Sequence, residues 1–318
     1  MTPSVLYLAV DAGGTGCRAR IENGYGQVLG QGLAGPASTR LGVDACYSSI
    51  IDASEAAIKE ASLGSKDVAQ LHAGFGVAGF TARPTVSLEL ESRSYPFARR
   101  TFTSDSITAC IGAHDGGYGG IVIVGTGSSG IAHLETGNAQ VGGYGFPLSD
   151  EGSGAFLGLR ALNAATRSLD GRLPKSSLLS EILSRFDRKS QAIVEWMDRA
   201  NATQYATFAP MIVRHAMDGD DVARSILQEA AKGIEEIVRA LARMSPPRLS
   251  LIGGLGSVLE SWLPPDLRGR IEPALGDALD GAAILAGRPS KGQITRVLKE
   301  RQVVVTRDRT ISEAPTEV

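Results

Sequence analysis

Cysteine is scarce in this chain, and what there is does not cluster. Cys17, Cys46 and Cys110 are the only three among 318 residues, and no two of them form a CxxC pair. An odd, scattered set excludes a disulfide framework and reads as reduced thiols, which places the expected location in the cytoplasm. Histidine is as sparse. His72, His114, His133 and His215 are isolated, so zinc-ligand spacing is missing. The charge balance is nearly even, with 32 Lys and Arg against 34 Asp and Glu, a net charge of −2. That removes any general pull toward nucleic acid or an anionic membrane, while a local phosphate site stays open. No apolar run reaches the ~18 residues of a membrane-crossing helix. Residues 1–10 lack the basic start and long apolar core of a secretion signal.

What is present is an ordinary globular composition, 43% hydrophobic and 21% charged, which excludes a mostly disordered chain. At ~150 residues per domain, the length predicts about two domains. Glycine is the excess: 39 residues, against an average near ~7%. Many of these glycines sit in clusters.

The clusters follow apolar runs. Residues 4–10 (SVLYLAV) read as a buried strand that ends at Asp11 and a glycine pair. Residues 17–22 and 27–33 read as a hairpin around Asn23-Gly24-Tyr25-Gly26. A helix is predicted over 41–62, a strand near 71–78, a helix at 83–92, and a strand near 99–104 with a short helix from Asp105. Residues 120–125 (GIVIVG) repeat the apolar strand, followed by a hairpin whose turn is placed at Gly137-Asn138. A strand, a glycine loop and a hairpin thus occur twice, which predicts two related α/β halves. From 151 the spacing is helical, up to a long helix over 221–244 that Pro246-Pro247 stops. A strand at 248–252 runs into Gly253-Gly254, and a small-residue helix covers 277–286. Residues 288–318 read as a polar tail with one possible strand at 302–306.

Three glycine loops have phosphate-binding chemistry. In Asp11-Ala12-Gly13-Gly14-Thr15-Gly16 the backbone can approach a phosphate without an intervening Cβ, and successive N–H groups form an anion nest. Taken alone, it is equally a hairpin turn with an ordinary Asp. It is not a GxxxxGK[ST] loop, and because residues 17–22 read as a strand it does not open a helix as a dinucleotide fingerprint does. Gly125-Thr126-Gly127-Ser128-Ser129-Gly130 repeats the logic with hydroxyl donors. Gly253-Gly254-Leu255-Gly256-Ser257 follows a strand and precedes a helix, where a nucleotide can be received or a plain turn formed. Asp105 and Asp150 each read either as a helix cap or as a site carboxylate. Trp196 and Trp262 read as helix-packing residues, and Arg99-Arg100 as a solvated strand end.

The order of these loops resembles the sugar-kinase, heat-shock-protein and actin ATPase superfamily. Ser104-Asp105-Ser106, the segment from Gly142 to Gly154 (GGYGFPLSDEGSG) and Gly276-Asp277-Ala278-Leu279-Asp280-Gly281-Ala282 sharpen it. They are similar to the bacterial glucosamine and N-acetylglucosamine kinases of the BadF/BadG-type ATPase family, over residues 5–287. The resemblance implies two ribonuclease-H-like (actin-like ATPase) domains with an interdomain active-site cleft. They would span 1–116, joined by the last helix 277–287, and 117–276. It implies an ATP-dependent kinase acting on the 6-hydroxyl of an amino sugar, with Mg²⁺. Asp11 would hold that ion through water, and Gly13, Gly14 and Thr15 would hold phosphates, with Thr126, Gly127 and Ser128 opposite. Gly253, Gly254 and Ser257 would border the adenosine. Asp105 would be the base. Gly143, Gly145 and Asp150 would bind sugar hydroxyls, Tyr144 would line the sugar's apolar face, and Glu151 would shape the loop. Relatives with this pattern carry an Asn in the loop after the first hairpin, where this chain has Ser38, whose hydroxyl can still bond a sugar oxygen through water. A sugar sensor without turnover and an iron–sulfur ATPase activator of a radical enzyme are the rival readings. Neither a nucleic acid nor a membrane is expected as a partner, and the sequence leaves monomer and homodimer open.

Overall fold

Strand β1 (Leu6–Ala12) is apolar along nearly its whole length because both its faces are covered. In the computed structural model, which describes residues 5–296, it pairs antiparallel with β2 (Cys17–Asn23), from Leu6 opposite Asn23 to Ala12 opposite Cys17. Strand β3 (Val28–Ala34) continues the meander at the sheet edge. On the other side β1 runs parallel to β4 (His72–Val77), and β4 parallel to β5 (Arg99–Ser104). The sheet order is β3-β2-β1-β4-β5.

Helix α1 (Val43–Glu60) covers the hairpin. Gly32 makes that contact possible, since a Cβ there would run into the Ala53 carbonyl and stand 2.7 Å from the Ala57 nitrogen. The short α2 (Ser65–Val68) and α3 (Pro84–Ser92) complete this side, and α4 (Asp105–Ala113) follows β5 directly. Phe75, Leu8, Ile21, Ile50 and Leu90 are fully buried at the centre.

The second half restates the motif. Strands β6 (Gly119–Val124), β7 (Ser128–Leu134) and β8 (Gly137–Gly142) form an antiparallel meander, and β6 runs parallel to β9 (Leu249–Ile252), in the order β8-β7-β6-β9. The hairpin differs from expectation in its turn, which is Glu135-Thr136. Gly137 and Asn138 are already paired, opposite Leu134 and His133. The Asn138 side chain makes a hydrogen bond to His133 Nδ1 at 2.7 Å, so it holds the strands rather than turning the chain.

Helices α5 (Gly154–Leu169), α6 (Ser177–Ser184), α7 (Ser190–Met197), α8 (Ala202–Ala206), α9 (Ala209–Met217) and α10 (Asp221–Ala242) share one core with this sheet, and α10 lies on β6, β7 and β8. Two short helices, α11 (Gly256–Glu260) and α12 (Pro265–Arg268), follow β9 in sequence. Trp196 packs edge-on against Phe186, Tyr205 and Phe208, as a core residue does. The pair α8–α9 is two short pieces, with Phe208 between them and Pro210 in the first turn of α9.

Helix α13 (Ala278–Leu285) packs on α4, where Gly112 and Gly281 let the two backbones meet without side chains between them. The described residues divide into two compact units, one of residues 5–117 together with 275–296, the other Tyr118–Ala274. Residues 288–296 correct the expected polar tail. Arg288 is 2% exposed and its Nε lies 2.8 Å from Glu22 Oε2, Lys291 Nζ is 2.8 Å from Asp280, and Ile294 is buried. The possible strand at 302–306 lies outside the described residues. Among the described residues no helix is long and apolar enough to cross a membrane.

Candidate functional site

In the first unit, parallel pairing brings three strand ends to one edge. Ala12 is level with Val77, and Val77 with Ser104. The chain therefore leaves β1 at the Gly13 turn, β4 at Ala78 and β5 at Asp105 on the same side, the carboxyl end where α/β sheets bind ligands. Gly13 N–H donates to the Gly16 carbonyl at 3.0 Å, and Ala37 N–H to the Gly13 carbonyl at 2.9 Å. Gly14 and Thr15 are exposed, with open space where a Gly14 Cβ would lie.

Asp105 is not the cap of α4. Ser104 is, its hydroxyl accepting from Ile107 N–H at 3.3 Å. The Asp105 carboxylate, partly buried, accepts from Ser106 N–H at 2.8 Å. Burial, and after it the charge of Asp11, pushes the Asp105 carboxyl up to about 6, against that hydrogen bond. Asp11 is itself held by Arg18, with Nη2 at 2.6 Å and Nε at 3.2 Å from Oδ2. Arg18 was not singled out in the sequence. The signal was there in the hairpin register, which sets it opposite Asp11.

Ser38 is 7% exposed. Its hydroxyl accepts from Arg40 N–H and reaches the Ala78 carbonyl, both at 3.3 Å, as the cap of a short 3-10 turn over Thr39–Leu41. It is thus already engaged beside the end of β4.

In the second unit the Gly125–Gly127 loop leaves β6 at the position that Gly13–Gly16 holds after β1. The Gly125 and Thr126 carbonyls accept from the first N–H groups of α5, Gly154 and Ala155, at 2.8 and 3.1 Å. Ser128 is buried and its hydroxyl donates to the Glu151 carbonyl at 2.6 Å, which ties the glycine loop to the segment carrying Asp150. Asp150 has φ +72 and is 8% exposed. Ser153, not Asp150, caps α5. A Cβ on Gly127 would stand 2.6 Å from Asp150 Oδ2. In the loop before it, Gly143 and Gly145 have φ +72 and +98, and Tyr144 and Leu148 are 72% and 83% exposed. Nothing in the sequence pattern marks the exposure of Leu148, because a lone apolar residue in a Gly/Pro loop has no periodicity.

Gly253 has φ +95, and a side chain there would strike the Val124 carbonyl, so the turn lies on the end of β6. Gly254 borders a cavity of about 660 Å³ together with Gly125, Thr126 and Gly154. Its walls are Ala209, Pro210 and Val213 of α9, with Leu255 and Val258 opposite. Ser257 does not face this cavity. It lines a neighbouring one of about 740 Å³ with Arg224, Gln228 and Trp262.

A glycine loop after the first strand of each related half, with a carboxylate at the end of β5, is the architecture expected from the resemblance, and the family comparison decides it. The model of the BadF/BadG/BcrA/BcrD ATPase family matches residues 8–263. This chain belongs to that family. Among its relatives is the glucosamine kinase GspK of Vibrio cholerae serotype O1, 36% identical over 285 residues that cover 89% of this chain and 96% of the relative. A solved structure from Chromobacterium violaceum, named as an N-acetylglucosamine kinase of inferred function, is 35% identical, covers 89% of this chain and all of its own, and superposes with a TM-score of 0.79. The ROK family glucokinase of Streptomyces griseus, solved with glucose and AMPPNP, shares the fold with a TM-score of 0.51 at 19% identity, over 89% of this chain and 99% of its own.

The three cysteines, all buried, do not suit an iron–sulfur centre, which needs thiolates. Burial pushes the Cys17 and Cys46 thiols up to about 12 and about 11.

Proposed function

We propose that this protein transfers the γ-phosphoryl group of ATP to the 6-hydroxyl of an amino sugar, glucosamine or N-acetylglucosamine. The observation that supports it most is Asp105, a carboxylate at a strand end that burial pushes up to about 6 and whose helix is capped by its neighbour. A general base works best when its pKa is near the operating pH. In this reading Asp105 accepts the proton of the sugar's 6-hydroxyl as the oxygen attacks the γ-phosphorus. Phosphoryl transfer needs positioning and charge neutralisation more than covalent help, and the exposed backbone of Gly14 and Thr15, in the turn that Gly13 closes, supplies positioning together with Thr126 and Gly127. Asp150 and the Gly143–Gly145 backbone bind sugar hydroxyls, and Tyr144 offers a ring to the sugar's apolar face. The cavity at Gly254 takes the adenosine.

The donor set suits a magnesium ion. Among the described residues no group of three or more His, Cys, Asp or Glu forms a cage. Magnesium prefers one or two carboxylates plus substrate phosphate and water. Asp11 would hold it, with Arg18 released toward phosphate, and the ion would neutralise charge on the transferred group.

The test is nucleotide diphosphate release across a panel of hexoses and amino sugars, with the sugar product identified by phosphorus NMR. One sugar 6-phosphate per diphosphate is expected with an amino sugar. Sugar binding without turnover would favour the sensor reading and overturn this one.

A further inference from the structure

We propose that the base subsite of the second unit selects its nucleotide by shape alone, so that GTP and ITP serve as phosphoryl donors beside ATP. The inference rests on the nucleotide reading of the Gly254 cavity and deepens it. Purine bases differ in the donors and acceptors on their edges, at the 6-position and at the 2-position. Telling them apart strongly requires protein groups that hydrogen-bond to those edges, shielded from water.

The walls offer none. Ala209, Pro210, Val213, Leu255 and Val258 carry no donor or acceptor on their side chains. Much of the backbone around the cavity is spent internally. Gly125 N–H donates to the Gly127 carbonyl, and the Gly125 carbonyl accepts from Gly154. The Thr126 carbonyl accepts from Ala155, and Leu255 N–H donates to the Val124 carbonyl. Beside Gly254 there is open space, since a Cβ would meet nothing within 4 Å.

Three lining side chains are polar, and none is placed to read a base in isolation from water. Thr126 belongs to the glycine loop at the phosphate end. Arg214 and Asp218 are exposed at the mouth, where water competes for their bonds. Arg214 Nη2 is also held by both oxygens of Glu181, at 2.9 and 2.7 Å, and Glu181 is bonded in turn to the buried His215 at 2.8 Å. A site built to hydrogen-bond its ligand rejects an analogue lacking the group by ~10⁴–10⁵-fold, whereas an apolar pocket discriminates by only ~10–200-fold.

The experiment measures two things on the intact protein. Calorimetry gives Kd for ADP, GDP and IDP, and initial rates give kcat/KM for ATP, GTP and ITP with glucosamine and with N-acetylglucosamine. The three diphosphates should bind within ~200-fold of one another, with kcat/KM following the same order. Leu255→Ala, which removes wall and no edge contact, should weaken all three by a common factor. A preference for adenine beyond ~200-fold, or a Leu255→Ala loss confined to one base, overturns the proposal. Diphosphates that bind alike while no sugar phosphate forms would instead overturn the kinase reading and leave the base subsite as proposed. Turnover restricted to ATP would do the reverse.

Discussion

Gly127 and Asp150 lie against each other, the glycine of the second phosphate-type loop 2.6 Å, by an added Cβ, from the carboxylate of the GGYGFPLSDEGSG segment. The Ser128 hydroxyl on the Glu151 carbonyl makes a second tie between the same two segments. The loop assigned to ATP and the carboxylate assigned to the sugar therefore form one local structure.

Gly127→Ala should consequently damage both functions. On sequence grounds it would disturb ATP alone. With Asp150 in the way, the new methyl displaces the carboxylate, and the KM for sugar should rise together with that for ATP. Initial rates with each substrate varied in turn separate the outcomes, and an unchanged sugar KM would show that Asp150 does not touch the sugar.

Asp105→Asn should lower kcat by ~10²–10⁴-fold, the usual worth of a positioned general base. The fold should not suffer, because Ser104 caps the helix. Ser104→Ala is the substitution that loses about 1 kcal/mol. Stability should in fact rise in Asp105→Asn at neutral pH. A carboxyl raised from 3.8 to about 6 binds its proton more tightly folded than unfolded, so it costs stability as pH climbs through that window. The whole shift would be worth about 3 kcal/mol, and partial exposure reduces this. The same value predicts a wild-type kcat/KM that falls about tenfold per pH unit below about 6. Thermal melts and a pH–rate profile check both, and a wild-type rate in Asp105→Asn would remove this residue from the chemistry.

Asp220 joins α6 to α10. Its Oδ1 accepts from Val222 and Ala223 N–H at 3.0 Å, and its Oδ2 from Leu178 N–H and the Ser177 hydroxyl at 2.9 Å. Burial opposes its charge, but these donors outweigh it and hold the carboxyl at about 2. A lowered carboxyl stabilises the fold above its unfolded value and loses that contribution as pH falls through about 2. Asp220→Ala should cost about 2 kcal/mol at pH 7 and less near pH 2. Urea titrations at the two pH values test it, and a loss that did not depend on pH would contradict the charged-cap account.

Arg288→Ala should be the most destabilising of these substitutions, losing about 3–5 kcal/mol. Glu22, 1% exposed, would keep Arg20 at 2.5 Å but lose the guanidinium on its other oxygen. Burial already raises the Glu22 carboxyl. A chain ending at residue 287 should melt as early as Arg288→Ala. If it were as stable as the whole protein, residues 288–296 would be the polar tail their composition suggests.

Sequence alone determined the repeated strand, glycine loop and hairpin, because alternation and turn chemistry are local and the two meanders use them at equivalent points. It also marked Asp11, by a strand end before a glycine cluster, whereas Asp105 and Asp150 were set apart from helix caps only by the resemblance. It did not assign the cap of α4, as Ser104 and Asp105 have similar capping tendencies and only the chain's path separates them. Tertiary structure decided everything that depends on partners far apart along the chain. Arg288 reads as a tail residue until packing puts it beside Glu22. Ser257 belongs to the expected adenosine loop by order, yet the first turn of α11 carries it into the neighbouring cavity. The apolar wall from α9 had no motif at all. Its residues face the Gly254 cavity because α9, α11 and the end of β6 converge there, which burial of a shared core dictates and no local pattern encodes.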